Sequence, residues 1–468
     1  MRAGRICKAV LSAAGFALVA GGLFYYWAIS SRLVRVGDVR IDPLAHIDPN
    51  RHYRLVVWEH EVPLPWEEGA HREALAAAVE EFTRVWPNVT VDVQFFEWDE
   101  GHGKLREAIA NGSPPDVYGM PLGVRLIDAA WQIPIDAYLT QEAAQDLLES
   151  ARRAVALDGR SWAWPRWVLP SLWVAREDLT PSLGEARPSW TAEQFLEAAA
   201  DAKTKAGAWG LVANPFDPYL FVDVMVASTG KNLIGADGRR AWTTEEIEAG
   251  LSFFKELIDR GITDADAGRM SRTRLASFWN RRAAVVAPTT PWLMRHLLTR
   301  GGASGGRQSG EEPLPESAGH LALPVPPPAV ARFSGALRAT VAGYAVFRQE
   351  PYQGDDHTRL AMFLAEHLSR RLGPWEAAHL FAAPAHPSAL ERWRVDAGLP
   401  AKELDLIVEW AKAALAPPLL DTHAEQQARA VEELAGEFAK LWSGGDPADL
   451  AVQIAIAVDG LRAEVGHP

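Results

Sequence analysis

YRLVVWEHEVPLPWEEGAHREALAAAVEEFTRVWPNVTVDVQFFEWDEGHGKLREAIANGSPPDVYGM, residues 53–120, carries the pattern that decides the fold. Tyr53–Trp58 is a short apolar run suited to a buried strand. Across Ala70–Trp86, Leu75, Val79, Phe82 and Val85 recur at three- and four-residue steps, which predicts a helix with one apolar face. Val89–Phe96 alternates and is rich in β-branched residues, so it reads as a strand. Leu105–Ala110 is a helix stopped by Asn111-Gly112, and Asp116–Met120 is a third strand. A strand-helix-strand-helix-strand rhythm implies a parallel sheet with helices on both faces.

The same grammar continues outward. Thr191 is placed to cap a helix over Ala192–Ala206, Phe216–Thr229 is an apolar helix after a Pro-Phe-Asp-Pro turn, and Thr243 or Thr244 caps Glu245–Arg260. Ala283–Ala287 and His320–Val325 are strand-like, and Leu360–Leu368, Glu403–Ala413 and Ala424–Trp442 are helical. Residues 299–318 are rich in Gly, Ser and Glu and read as a surface insertion. Toward the N-terminus, residues 30–50 hold charges and two Asp-Pro pairs and read as a stalk. Before it, Arg2, Arg5 and Lys8 precede Ala9–Ile29, a charge-free run that ends in Tyr25, Tyr26 and Trp27. As a helix this run spans about 30 Å, the thickness of a bilayer core, with its aromatic rings at the headgroup layer. The reading is a transmembrane signal-anchor with the N-terminus inside. A cleaved signal ending near Val19-Ala20-Gly21 is the competing reading, opposed by the apolar continuation after it.

Composition narrows the function. At 468 residues the chain exceeds one ordinary core. A net charge of −13 repels phosphate backbones and excludes nucleic acid as a partner. The single cysteine, Cys7, permits neither an intramolecular disulfide nor a thiolate metal site. There is no G-x-S-x-G elbow, P-loop lysine motif or G-x-G-x-x-G after a strand, and the 13 histidines form no H-E-x-x-H. Neither a catalytic site, a metal nor a cofactor is expected.

Several stretches, in order, resemble the extracellular solute-binding proteins of ABC importers, in their maltose-binding-like, sugar-binding branch. LVVWEHE (residues 55–61) resembles the first strand and its ligand loop, and residues 80–120, with their PPDV, give the most specific match. ALDGRSWAWPRWVLPSLWVAREDL, PSWTAEQFLEAA and NRRAAVVAPTTPWLM follow the family's later segments, with Ala175 standing where the family has Asn. The resemblance covers most of residues 53–460. It implies a type II periplasmic-binding-protein-like fold, with two doubly wound α/β lobes joined by a hinge and ligand held between them. The expected organisation is a basic cytoplasmic start (1–8), a transmembrane segment (9–29), a stalk (30–50), a first lobe (51–168 and 322–380) and a second lobe (171–320 and 384–468). The implied role is non-enzymatic. A single-pass, membrane-anchored extracytoplasmic monomer binds a mono- or oligosaccharide and delivers it to ABC permease membrane subunits.

The chain has 19 tryptophans, many near predicted strand ends, and aromatic rings stack on the C–H faces of sugars. Trp58, Glu59 and His60 end the first strand and are candidate ligand residues; the alternative is a packed Trp beside a solvated Glu-His pair. In SWAWPRW, Trp162, Trp164 and Trp167 are candidates to share one side of an extended segment, with Trp164 and Trp167 taken as ligand contacts against the alternative of a sheet face packed on a helix. The resemblance adds Tyr118, Asp217 with Tyr219, Trp292 in TPW, and Tyr344. Arg125 is a candidate for the rim. A membrane-tethered sensor and a carbohydrate-active hydrolase using Glu59 and Asp217 are the rival readings.

Overall fold

The computed structural model describes residues 33–62, 69–97, 100–181, 190–263, 282–287 and 322–461. The proposed membrane segment, the Gly/Ser-rich insertion and Trp292 lie outside these residues. Among the described residues no helix is long and apolar enough to cross a membrane.

Strand β3 (Tyr53–His60) alternates in burial from its first residue, so Tyr53, Leu55, Val57 and Glu59 share one face. It pairs in parallel with β4 (Val89–Phe96) and β5 (Val117–Met120). Helix α1 (Ala70–Val85) covers one face through Leu75 and Phe82, together with α6 (Asp355–Arg371) through Leu360, Leu364 and Leu368. Helix α2 (Gly101–Ala110) covers the other face, with Leu105 and Ile109 against Tyr118 and Met120. The rhythm read from residues 53–120 thus builds half of a larger sheet. Its order is β4-β3-β5-β11-β6-β12, where β6 is Trp164–Pro170, β11 is Leu337–Phe347 and β12 is Ala383–Pro384. Two short strands, Gln132–Ile133 and Ala414–Leu415, also pair with β11.

A second sheet of four strands runs β8-β9-β7-β10, with β7 Trp173–Arg176, β8 Trp209–Val212, β9 Ala283–Val286 and β10 Ala322–Val325. Around it lie α3 (Ala192–Ala206), α4 (Pro218–Thr229), α5 (Thr244–Asp259), α8 (Asp421–Leu441) and α9 (Pro447–Gly460). Capping boxes start two of them: Thr191 with Gln194 for α3, and Thr243 with Glu246 for α5. The core of this lobe is aromatic. Phe221, Phe254 and Phe438 meet at centroid distances of 5.1–6.2 Å, and Phe195 meets Trp173 and Trp190 edge-on.

The chain passes between the sheets at Ser171-Leu172, joining β6 to β7, and returns through residues 326–336, joining β10 to β11. The return therefore lies later than the expected boundary at residue 322, because Ala322–Val325 pairs antiparallel with Trp173–Arg176 in the second sheet. A third passage runs through residues 416–420: Leu126 N–H donates to Leu419 O (2.8 Å), and α8 then enters the second lobe.

The stalk reading needs correction for residues 33–50. VRVGDVRI folds as a hairpin of β1 (Val34–Val36) and β2 (Val39–Ile41), and Gly37, with φ 60°, supplies the positive-φ turn position. Its Val-Arg-Val and Val-Arg-Ile alternation turns Val36 and Ile41 into the first-lobe core. Asp42 N–H donates to the Asp355 carboxylate and Arg359 donates to Ala45 O, which bind the segment to α6.

The aromatic core yields a direct stability prediction. Phe254→Ala removes a fully buried ring and lowers the unfolding free energy by about 3–5 kcal/mol in urea titrations, whereas Thr243→Ala costs only about 1 kcal/mol through its lost cap. A loss below about 1 kcal/mol for Phe254→Ala would contradict this packing.

Candidate functional site

In open α/β sheets ligands bind beyond the carboxyl ends of the strands, and β3 and β5 end at Glu59-His60 and Tyr118–Met120. Alternation sends Trp58 and His60 to one face and Glu59 to the other. Trp58 is half-buried, with its ring 4.8 Å from that of Phe96. His60 points the same way and is buried: its Nδ1 lies 3.1 Å from Glu97 O and its Nε2 2.8 Å from the Tyr118 hydroxyl. This is the pattern of a neutral ring that donates through Nδ1 and accepts through Nε2. Burial pushes the His60 pKa down and the Tyr118 pKa up, so both stay uncharged near neutrality.

Glu59 belongs to the opposite, core-facing series of β3 and is fully enclosed. Arg166 on β6 donates to it through Nη1 (3.1 Å) and Nη2 (3.4 Å), the Tyr344 hydroxyl on β11 donates at 2.6 Å, and the His60 backbone N–H donates at 2.9 Å. The same Arg166 Nη1 donates to Glu376 (2.9 Å), which lies on α7 (Gly373–Leu380). Glu376 also accepts from Trp167 Nε1 (2.8 Å) and His71 Nε2 (2.9 Å), while His71 Nδ1 accepts the Val62 N–H (3.2 Å). A Cβ at residue 119 would lie 2.3 Å from the Glu59 carboxylate, so only Gly119 lets β5 pass this close. Burial alone would raise the Glu59 pKa, but Arg166 and the hydrogen bonds from Tyr344 and the His60 N–H together outweigh it and hold the carboxyl below its ordinary value.

The structure therefore brings Glu59, Trp167 and Tyr344 into one enclosed ionic node, with His60 and Tyr118 paired beside it. Trp164 is also buried, in the cluster of Tyr53 and Leu55, whereas Trp162 belongs to the separate cluster of Leu105, Tyr118 and Met120. Arg166, Glu376 and His71, which complete the node, are missing from the candidates drawn from sequence. Their signal is a charge inside an apolar run, Arg in WPRWVLP and Glu in GPWEAAHL, because such residues are buried only when paired.

Asp217 and Tyr219 lie elsewhere, at the start of α4 in the second lobe. Asp217 caps the helix by accepting the Tyr219 N–H (3.0 Å), and burial raises its pKa despite that bond. Tyr219 is 42% exposed and its neighbour Phe216 62%. The Arg338 guanidinium, at the start of β11, lies 4.5 Å from the Tyr219 ring centroid and is held by Asp223 and Ser171. Arg338 and Tyr344 are six residues apart on β11, roughly 20 Å. The enclosed node and the guanidinium that backs Tyr219 are thus separate points along one crossing strand. Arg125 binds Asp421 at the start of α8 (3.3 Å), beside His102 (2.9 Å) and Arg106 (2.9 Å) of α2. Among the described residues no cluster of His, Cys, Asp and Glu is suited to a metal ion.

Removing the Arg166 cation tests the node. A carboxyl held low contributes stability above its unfolded pKa, near 4.5 for Glu59, and loses it as pH falls through the folded value. In Arg166→Met only the Tyr344 hydroxyl and the His60 N–H are left to oppose burial, so the enclosed Glu59 carboxylate costs stability as pH rises. The stability gap between wild type and Arg166→Met, measured by urea unfolding, should be small near about pH 4 and widen to about 3–5 kcal/mol by about pH 7. A gap that does not change with pH would contradict it.

Residues 68–354 match the family described as bacterial extracellular solute-binding protein. No curated protein is significantly similar to the chain in sequence. Among solved structures, the sugar-binding protein MalE of Xanthomonas citri superposes with a TM-score of 0.66 at 16% identity, over 88% of this chain and 98% of its own. The GacH receptor of Streptomyces glaucescens, solved without ligand and with acarbose, gives 0.59 at 19% identity over 88% and 98%. Lmo0181 of Listeria monocytogenes, an ABC substrate-binding protein in complex with cycloalternan, gives 0.59 at 16% over 89% and 100%. At such identities the likeness establishes the fold: two α/β lobes of the periplasmic-binding-protein type, joined by crossing strands. With more than half of its length matched, this chain belongs to the bacterial extracellular solute-binding protein family and is a binding protein rather than an enzyme.

Proposed function

We propose that this protein is the capture component of an ABC import system, which takes a carbohydrate between its two lobes and delivers it to a permease. One observation carries the reading. Two aromatic rings, Phe216 and Tyr219, stand exposed around the Asp217 cap at the start of α4, beside the strands that cross between the lobes. An aromatic face stacks on a sugar ring for about 0.5–1.5 kcal/mol beyond its area, and a charged group bonds a hydroxyl for roughly 1.5–3 kcal/mol. Two or three rings and several such bonds reach micromolar affinity, near −8 kcal/mol. By resemblance Trp292 is a further solute contact, and closure about the crossing strands brings the first lobe onto the guest. The structural relatives with acarbose and cycloalternan support a saccharide as that guest.

Two features bear on how the protein works. The charge-free run Ala9–Ile29 supports a single-pass tether that holds the lobes outside the membrane, near the permease. Glu59, held low by its pairing with Arg166 and enclosed, is unsuited to the proton-donor role a glycosidase requires.

A ligand that binds only the folded form raises its thermal midpoint. In a screen of maltotriose, cyclic α-glucans, xylo-oligosaccharides, polyols, amino acids and peptides, at least one carbohydrate should raise it. Tyr219→Ala should weaken that carbohydrate's binding by more than about tenfold, equivalent to about 1.4 kcal/mol, while leaving the ligand-free midpoint nearly unchanged. A shift with amino acids or peptides alone would overturn the carbohydrate reading.

A further inference from the structure

Ser171 and Arg338 sit where the two crossing strands touch. The Ser171 N–H donates to Arg338 O at 2.7 Å, so the first and second passages are bonded to each other at this point. Their side chains close a ring with Asp223 of α4. Arg338 Nε donates to Asp223 Oδ1, Arg338 Nη2 donates to Ser171 Oγ (2.9 Å), and Ser171 Oγ donates to Asp223 Oδ2 (2.7 Å). Asp223 lies four residues after Tyr219, so the two share one face of α4. Arg338 fits across both, its edge on the carboxylate and its plane over the ring, 4.5 Å from the centroid.

This arrangement leaves two groups unused. The Tyr219 hydroxyl makes no hydrogen bond among the described residues, and neither does Arg338 Nη1, on a side chain that is 25% exposed. One face of the ring is backed by the guanidinium, and Tyr219 as a residue remains 42% exposed. A cation held flat by a two-point fork fixes the plane of the ring it covers, which a flexible ammonium does not do.

We propose that Arg338 is a positioning residue for the solute site: it holds Tyr219 as a fixed platform, ties that platform to both crossing strands, and presents Nη1 toward an oxygen of a solute stacked on the ring. This rests on the reading of Tyr219 as a solute contact. Through it the hinge strands and the recognition surface become one unit, so the orientation of the ring follows the hinge.

Two measurements on the full chain test it. The first needs no ligand. The eight tyrosines are labelled as 3-fluorotyrosine, and the 19F resonance absent from Tyr219→Phe is assigned to Tyr219. That resonance should move in Arg338→Met. It should also move in the double variant Arg338→Gln/Asp223→Asn, which leaves no unpaired buried charge and so guards against a simple failure to fold. An unmoved resonance in a folded variant overturns the proposal. The second is a double-mutant cycle with the carbohydrate that raises the thermal midpoint, maltotriose being tried first. Arg338→Met should weaken binding by about tenfold in the wild-type background and by less than about threefold once Tyr219 is alanine. Equal losses in the two backgrounds overturn the proposal. If Tyr219→Ala leaves affinity intact, the assignment of the solute site fails instead, and the fluorine result alone decides whether Arg338 positions the ring.

Discussion

Arg166 is enclosed between two carboxylates, and the architecture of the first lobe depends on that fact. Its guanidinium joins Glu59 at the end of β3 to Glu376 on α7, with Tyr344 of β11 and Trp167 of β6 completing the shell and His71 of α1 bonded to Glu376. Each of these groups loses water on folding, a cost of several kcal/mol per ion that mutual attraction alone need not repay. What the node secures is geometry. One buried cation with two anions is satisfied only when three strands and two helices meet in register, so a slipped strand would strand a charge in the interior. The strand ends of the first lobe are thereby set firmly, and a rigid wall is what a clamp requires on at least one side.

The second charged node does a different job. Asp223, Ser171 and Arg338 sit at the crossing, partly open to solvent, and connect the two passages to the helix that carries Tyr219. Around the first node the contacts lie within one lobe; here they lie between the connecting strands and the second lobe. In the proposed clamp the lobes stay internally stiff and relative motion falls to the few residues at the passages, the usual pattern of hinge closure. The aromatic core of the second lobe, from Phe195 through Phe254 to Phe438, gives α4 a firm seat from which to present its exposed rings.

The fold was legible because its signal is periodic and local. The alternation in VTVDVQFF, the Leu75, Val79 and Phe82 steps of α1, and the Thr191 and Thr243 caps survive in the folded molecule, whereas Val85, the last of the predicted apolar positions, is exposed. The site was less legible, for two physical reasons. Side-chain direction on a strand has a period of two, so Trp58, Glu59 and His60 could not all face one guest, and Glu59 falls in the same series as Tyr53, Leu55 and Val57. Tryptophan is also ambiguous: Trp164, Trp167, Trp173, Trp242 and Trp393 are fully buried core residues, and their abundance reflects packing. The hairpin at VRVGDVRI shows the converse, a short alternating pattern hidden among charges and prolines.

The central claim is a clamp whose lobes move about the crossing strands when a carbohydrate binds. Small-angle X-ray scattering of the purified protein, with and without the carbohydrate that raises its thermal midpoint, tests this most directly. The account predicts a smaller radius of gyration at saturation, and a smaller change when Arg338 and Asp223 are both replaced. An identical scattering profile with and without ligand, at concentrations where calorimetry shows the site to be filled, would contradict it.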